Sequence, residues 1–149
     1  MLNRLRDVFS SFQKYEVRYL VIGGIAAVLY GVPRATFDLD ILIDATPDNA
    51  KRLLDSLLEA NLGTAALISP EELLAHEITI FQDRVRIDVQ TFTPGLKFDE
   101  AWENRHLMEY QGQSFYVLSK RDLITSKRAA GRSIDLDDIR LLNSGEEEF

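Results

Sequence analysis

Apolar residues recur at Leu2, Leu5, Val8/Phe9 and Phe12, a helical spacing that predicts an amphipathic helix at the start of the chain. The pattern then changes. Val17 to Ile22 is a continuous apolar run rich in β-branched and aromatic residues, which predicts a buried strand ending at Gly23-Gly24. Ile25 to Tyr30 predicts a short helix, stopped by Gly31 and Pro33. Phe37 to Ile43 returns to alternation and predicts a second strand. Thr46 ahead of Pro47 is an N-cap signal for a helix through Glu59, because proline at the first helical position loses no needed hydrogen bond.

Ser69-Pro70-Glu71-Glu72 has the spacing of a capping box and starts another helix. Ile78 to Phe81 and Val85 to Phe92 alternate like strands about a turn at Gln82-Asp83. Phe98, Ala101 and Trp102 indicate a short helix. Leu107 to Tyr110 and Ser114 to Leu118 form a strand pair about Gly112. Two C-terminal helices follow, the first capped by Ser119 with Asp122, the second starting near Asp135. A solvated tail is expected at Glu146-Glu147-Glu148. No repeat or linker interrupts this order, so one domain over residues 1–149 is expected. Intermixed helices and strands imply a sheet with helices on at least one face.

Composition narrows the classes. The chain has 149 residues, 46% hydrophobic and 28% charged, enough for a packed core and too apolar for global disorder. It has no cysteine, which excludes disulfides, thiolate zinc sites and cysteine nucleophiles. The longest charge-free stretch is the 15 residues from Tyr19 to Pro33, short of a membrane span and broken by the glycine pair. A soluble, cytoplasmic protein is expected, without membrane contact. The net charge of −7 argues against a broad nucleic-acid-coating surface and leaves room for a local basic patch.

The chemistry concentrates in Phe37-Asp38-Leu39-Asp40-Ile41-Leu42-Ile43. Period-2 geometry turns Leu39, Ile41 and Ile43 to one face and Asp38 and Asp40 to the other. Val85, Ile87 and Val89 likewise bury one face of a later strand and leave Arg84, Arg86, Asp88 and Gln90 on the other. Were these strands neighbours, Asp88 would join the acid pair. Three crowded carboxylates raise one another's pKa unless a cation neutralises them, and Mg²⁺ prefers such oxygen ligands. By itself the alternation also describes an ordinary half-exposed strand, with Asp88 paired to Arg86. Gly23-Gly24, between a strand and a helix, offers bare backbone N–H groups to an anion, or else a tight turn needing positive φ. Arg34 and Thr36 are placed for phosphate contact, or for loop solvation and strand-edge bonding. Lys127 lies in a locally basic stretch with Lys120, Arg121, Arg128 and Arg132; its alternatives are phosphate neutralisation and a solvated helix face with surface ion pairs. Asp135 and Asp138 read best as cap and first-turn residues of the last helix. His76 and His106 are isolated, and His76-Glu77 lacks the second histidine of a zincin.

The order of strand, Gly-Gly, short helix, Asp-x-Asp on the next strand and a third Asp on a later one resembles the nucleotidyltransferase superfamily of the polymerase-beta type. The segment Gly23-Gly24-x-Ala26 … Tyr30-Gly31 … Arg34-x-Thr36-x-Asp38-Leu39-Asp40 is similar to its small bacterial branch, which includes minimal nucleotidyltransferases and AbiEii-type toxins of toxin–antitoxin and phage-defence systems. So is Leu123-Ile124 … Lys127-x-x-Ala130-Gly131-Arg132 … Asp135-Leu136-x-Asp138-Ile139, and the resemblance covers roughly residues 15–142.

That resemblance implies an α+β nucleotidyltransferase fold: a mixed sheet carrying the acids, helices packed behind it and helices at the C-terminus. It implies that Gly23 and Gly24 cradle the phosphates of an NTP, with Arg34, Thr36 and Lys127 near them. It implies that Asp38 and Asp40 bind two Mg²⁺ ions and that Asp88 binds the catalytic one. The reaction would move an NMP to an acceptor hydroxyl on RNA, tRNA, a protein or a small molecule, with release of pyrophosphate. A toxin–antitoxin role is expected on the same ground, and a chain of 149 residues is expected to need a partner, an antitoxin or a second copy, to complete its acceptor site. One departure stands out: many members have Gly-Ser where this chain has Gly-Gly, so a hydroxyl contact to phosphate has to come from elsewhere, Arg34 or Thr36 being placed for it. The competing class is a non-catalytic module of the same fold that binds a nucleotide or a partner protein.

Overall fold

The computed structural model describes residues 2–147. Six strands, β1 (Tyr19–Ile22), β2 (Asp38–Ile43), β3 (Ile78–Gln82), β4 (Arg86–Gln90), β5 (His106–Tyr110) and β6 (Gln113–Val117), form one sheet in the order β3-β4-β2-β1-β6-β5. The sheet is mixed. β2 runs parallel to β4 and β1 to β6, while β1/β2, β3/β4 and β5/β6 are antiparallel. The helices are α1 (Arg6–Lys14), α2 (Gly23–Leu29), α3 (Pro47–Glu59), α4 (Pro70–Leu74), α5 (Phe98–Glu103), α6 (Lys120–Ala130) and α7 (Ser133–Glu147). The α+β architecture is the expected one.

Local chemistry explains the element ends. Thr46 accepts a hydrogen bond from the Asn49 backbone N–H at 3.3 Å and starts α3 with Pro47 in its first turn. Ser69 and Glu72 form the reciprocal capping box of α4, and Ser119 caps α6 through the Asp122 N–H. α6 closes on Gly131 in the left-handed region, where the lack of a Cβ removes the steric penalty. α7 begins at Ser133, two residues before the expected start, because Asp135 reaches back to accept from the Arg132 N–H. Its backbone stays helical to Glu147, and Glu148 of the expected solvated tail lies outside the described residues.

One face of the sheet carries Tyr19, Val21, Leu39, Ile41, Ile87, Val89, Phe115 and Val117, all buried. α1 and α3 cover it, with the Phe9 ring stacked 4.6 Å from Phe115 and the Ser11 hydroxyl donating to the Ser56 carbonyl. Burying each large side chain there is worth about 1.5–3 kcal/mol, and this layer holds the sheet's register. The opposite face carries the acids. α2 and α6 lie over its β1 end, whereas the β2, β4 and β3 end is less covered, with Ile78 and Ile80 about half exposed. Two expectations need correction. Phe37 is 74% exposed and precedes β2 rather than packing within it. Arg84 does not share the acid face: it sits in the β3–β4 turn and reaches the helical layer, donating to the Ala60 carbonyl at 2.9 Å and pairing with Asp7. Val85 is buried as the alternation requires, and the polar side of the pattern begins with the ladder at Arg86.

Candidate active site

β2 and β4 are neighbours, and their register sets Asp38 opposite Arg86 and Asp40 opposite Asp88. Directly opposed residues on adjacent strands share a face, so the three acids lie together. Leu39 and Ile87, fully buried on the far side, determine which way the carboxylates point. Asp40 is the most crowded. Burial, with the Asp88 and Asp38 charges beside it and a hydrogen bond to Asp88, pushes its carboxyl up to about 7. Arg86 works against that rise. Its guanidinium grips Asp88 with two bonds, Nε to Oδ1 at 2.9 Å and Nη2 to Oδ2 at 3.2 Å, and lies 3.7 Å from Asp38 Oδ2. Both sequence readings of Asp88 therefore hold at once: it joins the acids and it pairs with Arg86. Among the described residues, no group of three or more His, Cys, Asp or Glu side chains is already gathered as a metal cage.

The two glycines are needed for different reasons. Gly23 opens α2 at φ +68°, and a Cβ on it would fall 2.5 Å from Asp40 Oδ2. Gly24 has no left-handed backbone; a Cβ there would meet Thr36 Oγ1 at 3.0 Å and Arg34 Nη2 at 3.3 Å. The hydroxyl and the guanidinium thus occupy the neighbourhood of the side chain that position 24 lacks.

Beside the acids, Ile22, Gly23, Gln90, Thr93, Ser126, Lys127 and neighbouring residues line a cleft of about 230 Å³. Two clefts of about 380 Å³ lie elsewhere, one beside Trp102 and Tyr116, the other between α2 and Phe37. None of the three clefts is lined by Asp38, Asp40 or Asp88 themselves; the small one reaches the acids through Gly23, which abuts Asp40. Lys127 lines the small cleft but is not on a solvated face: it is 5% exposed, with Nζ 2.8 Å from Asp138 Oδ2 and 3.8 Å from Asp135 Oδ1. Asp138 also accepts from Arg34 Nη1 at 2.9 Å, and Asp135 is chelated by Arg132 at 2.7 and 3.1 Å. Asp135 and Asp138, at 1% and 2% exposure, are therefore core members of an ionic network; Asp135 is also the first-turn residue expected, whereas Asp138 lies in the second turn of α7 and does not start it. Within this network three cations face two carboxylates, one positive charge in excess, and Asp40 is near enough to act on Arg132. The network also ties the loop before β2 to α6 and α7.

This network is what the sequence reading missed. A signal was present: Asp135 and Asp138 share a helical stripe with Ile139 and Leu142, and Lys127 shares one with Leu123. A charged residue at a core position of an amphipathic helix calls for a buried partner.

The family model described as "Nucleotidyltransferase of unknown function (DUF6036)" matches residues 2–143. The chain belongs to this nucleotidyltransferase family. Among solved structures, the crystal structure of a "putative nucleotidyltransferase" from Thermotoga maritima is similar in fold. It is 15% identical, covers 99% of this chain and 93% of its own, and has a TM-score of 0.57. Among curated proteins, no sequence relative matches. The nucleotidyltransferase fold expected from Gly-Gly, Asp-x-Asp and the later Asp is the one found. Among the described residues, no helix is long and apolar enough to cross a membrane.

Proposed function

We propose that this nucleotidyltransferase moves an NMP from an NTP to an acceptor hydroxyl, using Asp38, Asp40 and Asp88 as the ligands of two Mg²⁺ ions. The observation that carries the reading is the β2/β4 register, which sets Asp40 against Asp88 with the bare backbone of Gly23 against the Asp40 carboxylate. The donor set fits the metal. It is all oxygen and crowded, and its central carboxyl is pushed up to about 7 by burial and then by the Asp88 and Asp38 charges, a cost that a divalent cation relieves. When bound, the metal supplies positive charge that acidifies the acceptor hydroxyl and screens the departing pyrophosphate.

The chain's own groups do the rest. Gly23 and Gly24 present backbone without side chains, so phosphate oxygens can approach. Thr36 Oγ1 stands beside Gly24 and supplies the hydroxyl that a Gly-Ser pair would otherwise bring, and Arg34 Nη2 next to it adds a cation. Lys127, held rigid by Asp138 and Asp135, sets the excess positive charge at the edge of the cleft. Asp88 is placed to take the acceptor's proton at a carboxylate oxygen, the part a positioned carboxylate plays as general base. The acceptor falls within the class of hydroxyl-bearing RNA, protein or small molecules. A toxin–antitoxin setting, with a partner protein or second copy completing the acceptor site, is the biological context we propose.

The test is thermal unfolding of wild type and Asp40→Asn with Mg²⁺ and each NTP in turn. Ligand at about 100 times its Kd adds about 2.7 kcal/mol. A Mg²⁺-dependent rise with an NTP, lost in the variant, supports the site; labelled transfer from that NTP to RNA or protein then identifies the acceptor. No rise with any NTP assigns the chain instead to the non-catalytic modules of this fold.

A further inference from the structure

Arg86 has no part in the roles above, yet it is the residue most intimately attached to the acids. It lies directly opposite Asp38 in the β2/β4 register, two residue pairs along and on the same face as Asp40 and Asp88. Its planar fork takes both oxygens of Asp88, at 2.9 and 3.2 Å, and faces Asp38 Oδ2 at 3.7 Å. These contacts use the oxygens a divalent cation would need. A carboxylate bound two-pronged by a guanidinium has one lone pair on each oxygen engaged and a cation already beside it, so a metal ion and the fork compete for Asp88. The side chain is free to leave, since Arg86 is 37% exposed and Asp38 47% exposed.

We propose that Arg86 is the site's internal counter-cation, a positioning residue that a divalent ion displaces from Asp88 and Asp38. It keeps the acids together on the open face in the absence of metal, and it weakens metal binding by the free energy of its own ion pair. The metal affinity of the site is thereby set low by the chain itself. This inference rests on the assignment of the three acids as metal ligands.

The test measures Mn²⁺ binding to the full chain by the electron paramagnetic resonance signal of free Mn²⁺, in wild type, Arg86→Gln and Arg86→Lys. Arg86→Gln is expected to bind Mn²⁺ about tenfold more tightly, a gain of about 1.4 kcal/mol. Arg86→Lys keeps the charge and loses the two-pronged grip, so it is expected to show part of that gain. A companion melt should show Arg86→Gln less stable than wild type without metal and restored by Mn²⁺, since the three carboxylates then repel unopposed. Should the glutamine variant fail to fold, the lysine variant carries the binding test alone. Unchanged or weaker Mn²⁺ binding in the folded variants, with wild type binding normally, overturns the role of Arg86 and leaves the acids as ligands. Absence of Mn²⁺ binding in wild type and variants alike overturns both.

Discussion

Gly23 and Asp40 meet so closely that a single carbon added to the glycine would lie 2.5 Å from a carboxylate oxygen. The residue that starts α2 and the residue at the centre of the acid row are therefore one structural unit. Gly23→Ala must both hold φ near +68° and move Asp40. A loss of about 1–3 kcal/mol in stability is expected, together with loss of any Mg²⁺–NTP response. Chemical denaturation and the ligand-dependent melt measure the two effects.

Asp40 gives the site a pH signature. Its carboxyl ionises near 3.8 in the unfolded chain and is pushed up to about 7 in the fold. The folded state thus holds a proton that the unfolded state has released between these values. Stability contributed by Asp40 is complete below about 4, falls as pH rises toward 7 and stays lost above it. Asp40→Asn cannot ionise and escapes this loss. Metal-free Asp40→Asn should match wild type near pH 4 and exceed it by about 1–2 kcal/mol at pH 8, part of a ceiling of about 4 kcal/mol for three units. A gap that shrinks with rising pH would overturn the assignment.

Gly24 and Thr36 offer a reciprocal exchange. Gly24→Ser places its Cβ 3.0 Å from Thr36 Oγ1 and next to Arg34, so the single variant should lose stability and nucleotide affinity. Gly24→Ser with Thr36→Ala returns one hydroxyl to the same neighbourhood. The double variant should regain most of the Mg²⁺–NTP melting shift. Recovery no better than in the single variant would show that Thr36 does not stand in for the missing serine.

Lys127 should behave as a buried residue. Lys127→Met removes one partner from a network in which Asp138 keeps Arg34 and Asp135 keeps Arg132. A cost of about 2–3 kcal/mol is expected, below the full penalty of an orphaned buried charge because those partners remain. Lys51→Met, which breaks the exposed Lys51–Asp55 pair, should leave the melting temperature in place. Equal effects from the two substitutions would contradict the burial of Lys127.

Thr46, Ser69 and Ser119 announced their helices because an N-cap is a bond between residues three apart, written within one stretch of chain. Leu39, Ile41 and Ile43 likewise showed the orientation of β2, since strand geometry alternates whatever the neighbour. Lys127 and Asp138 were harder. Each looked like a surface charge because the partner that buries it sits on another helix, and Arg34 reaches Asp138 from 104 positions away.

Local order along the chain determined the elements, the side of β2 that bears Asp38 and Asp40, and the glycine pair between β1 and α2. These follow from interactions within a few residues, where backbone sterics and alternation act without reference to the rest of the fold. Pairing was decided only by the tertiary structure: β2 beside β4 in the register that opposes Asp40 to Asp88, Arg86 bridging to Asp38, and Arg34 joined to Asp138 across α6 and α7. Such contacts depend on how buried faces pack to exclude water, a property of the whole core rather than of any segment.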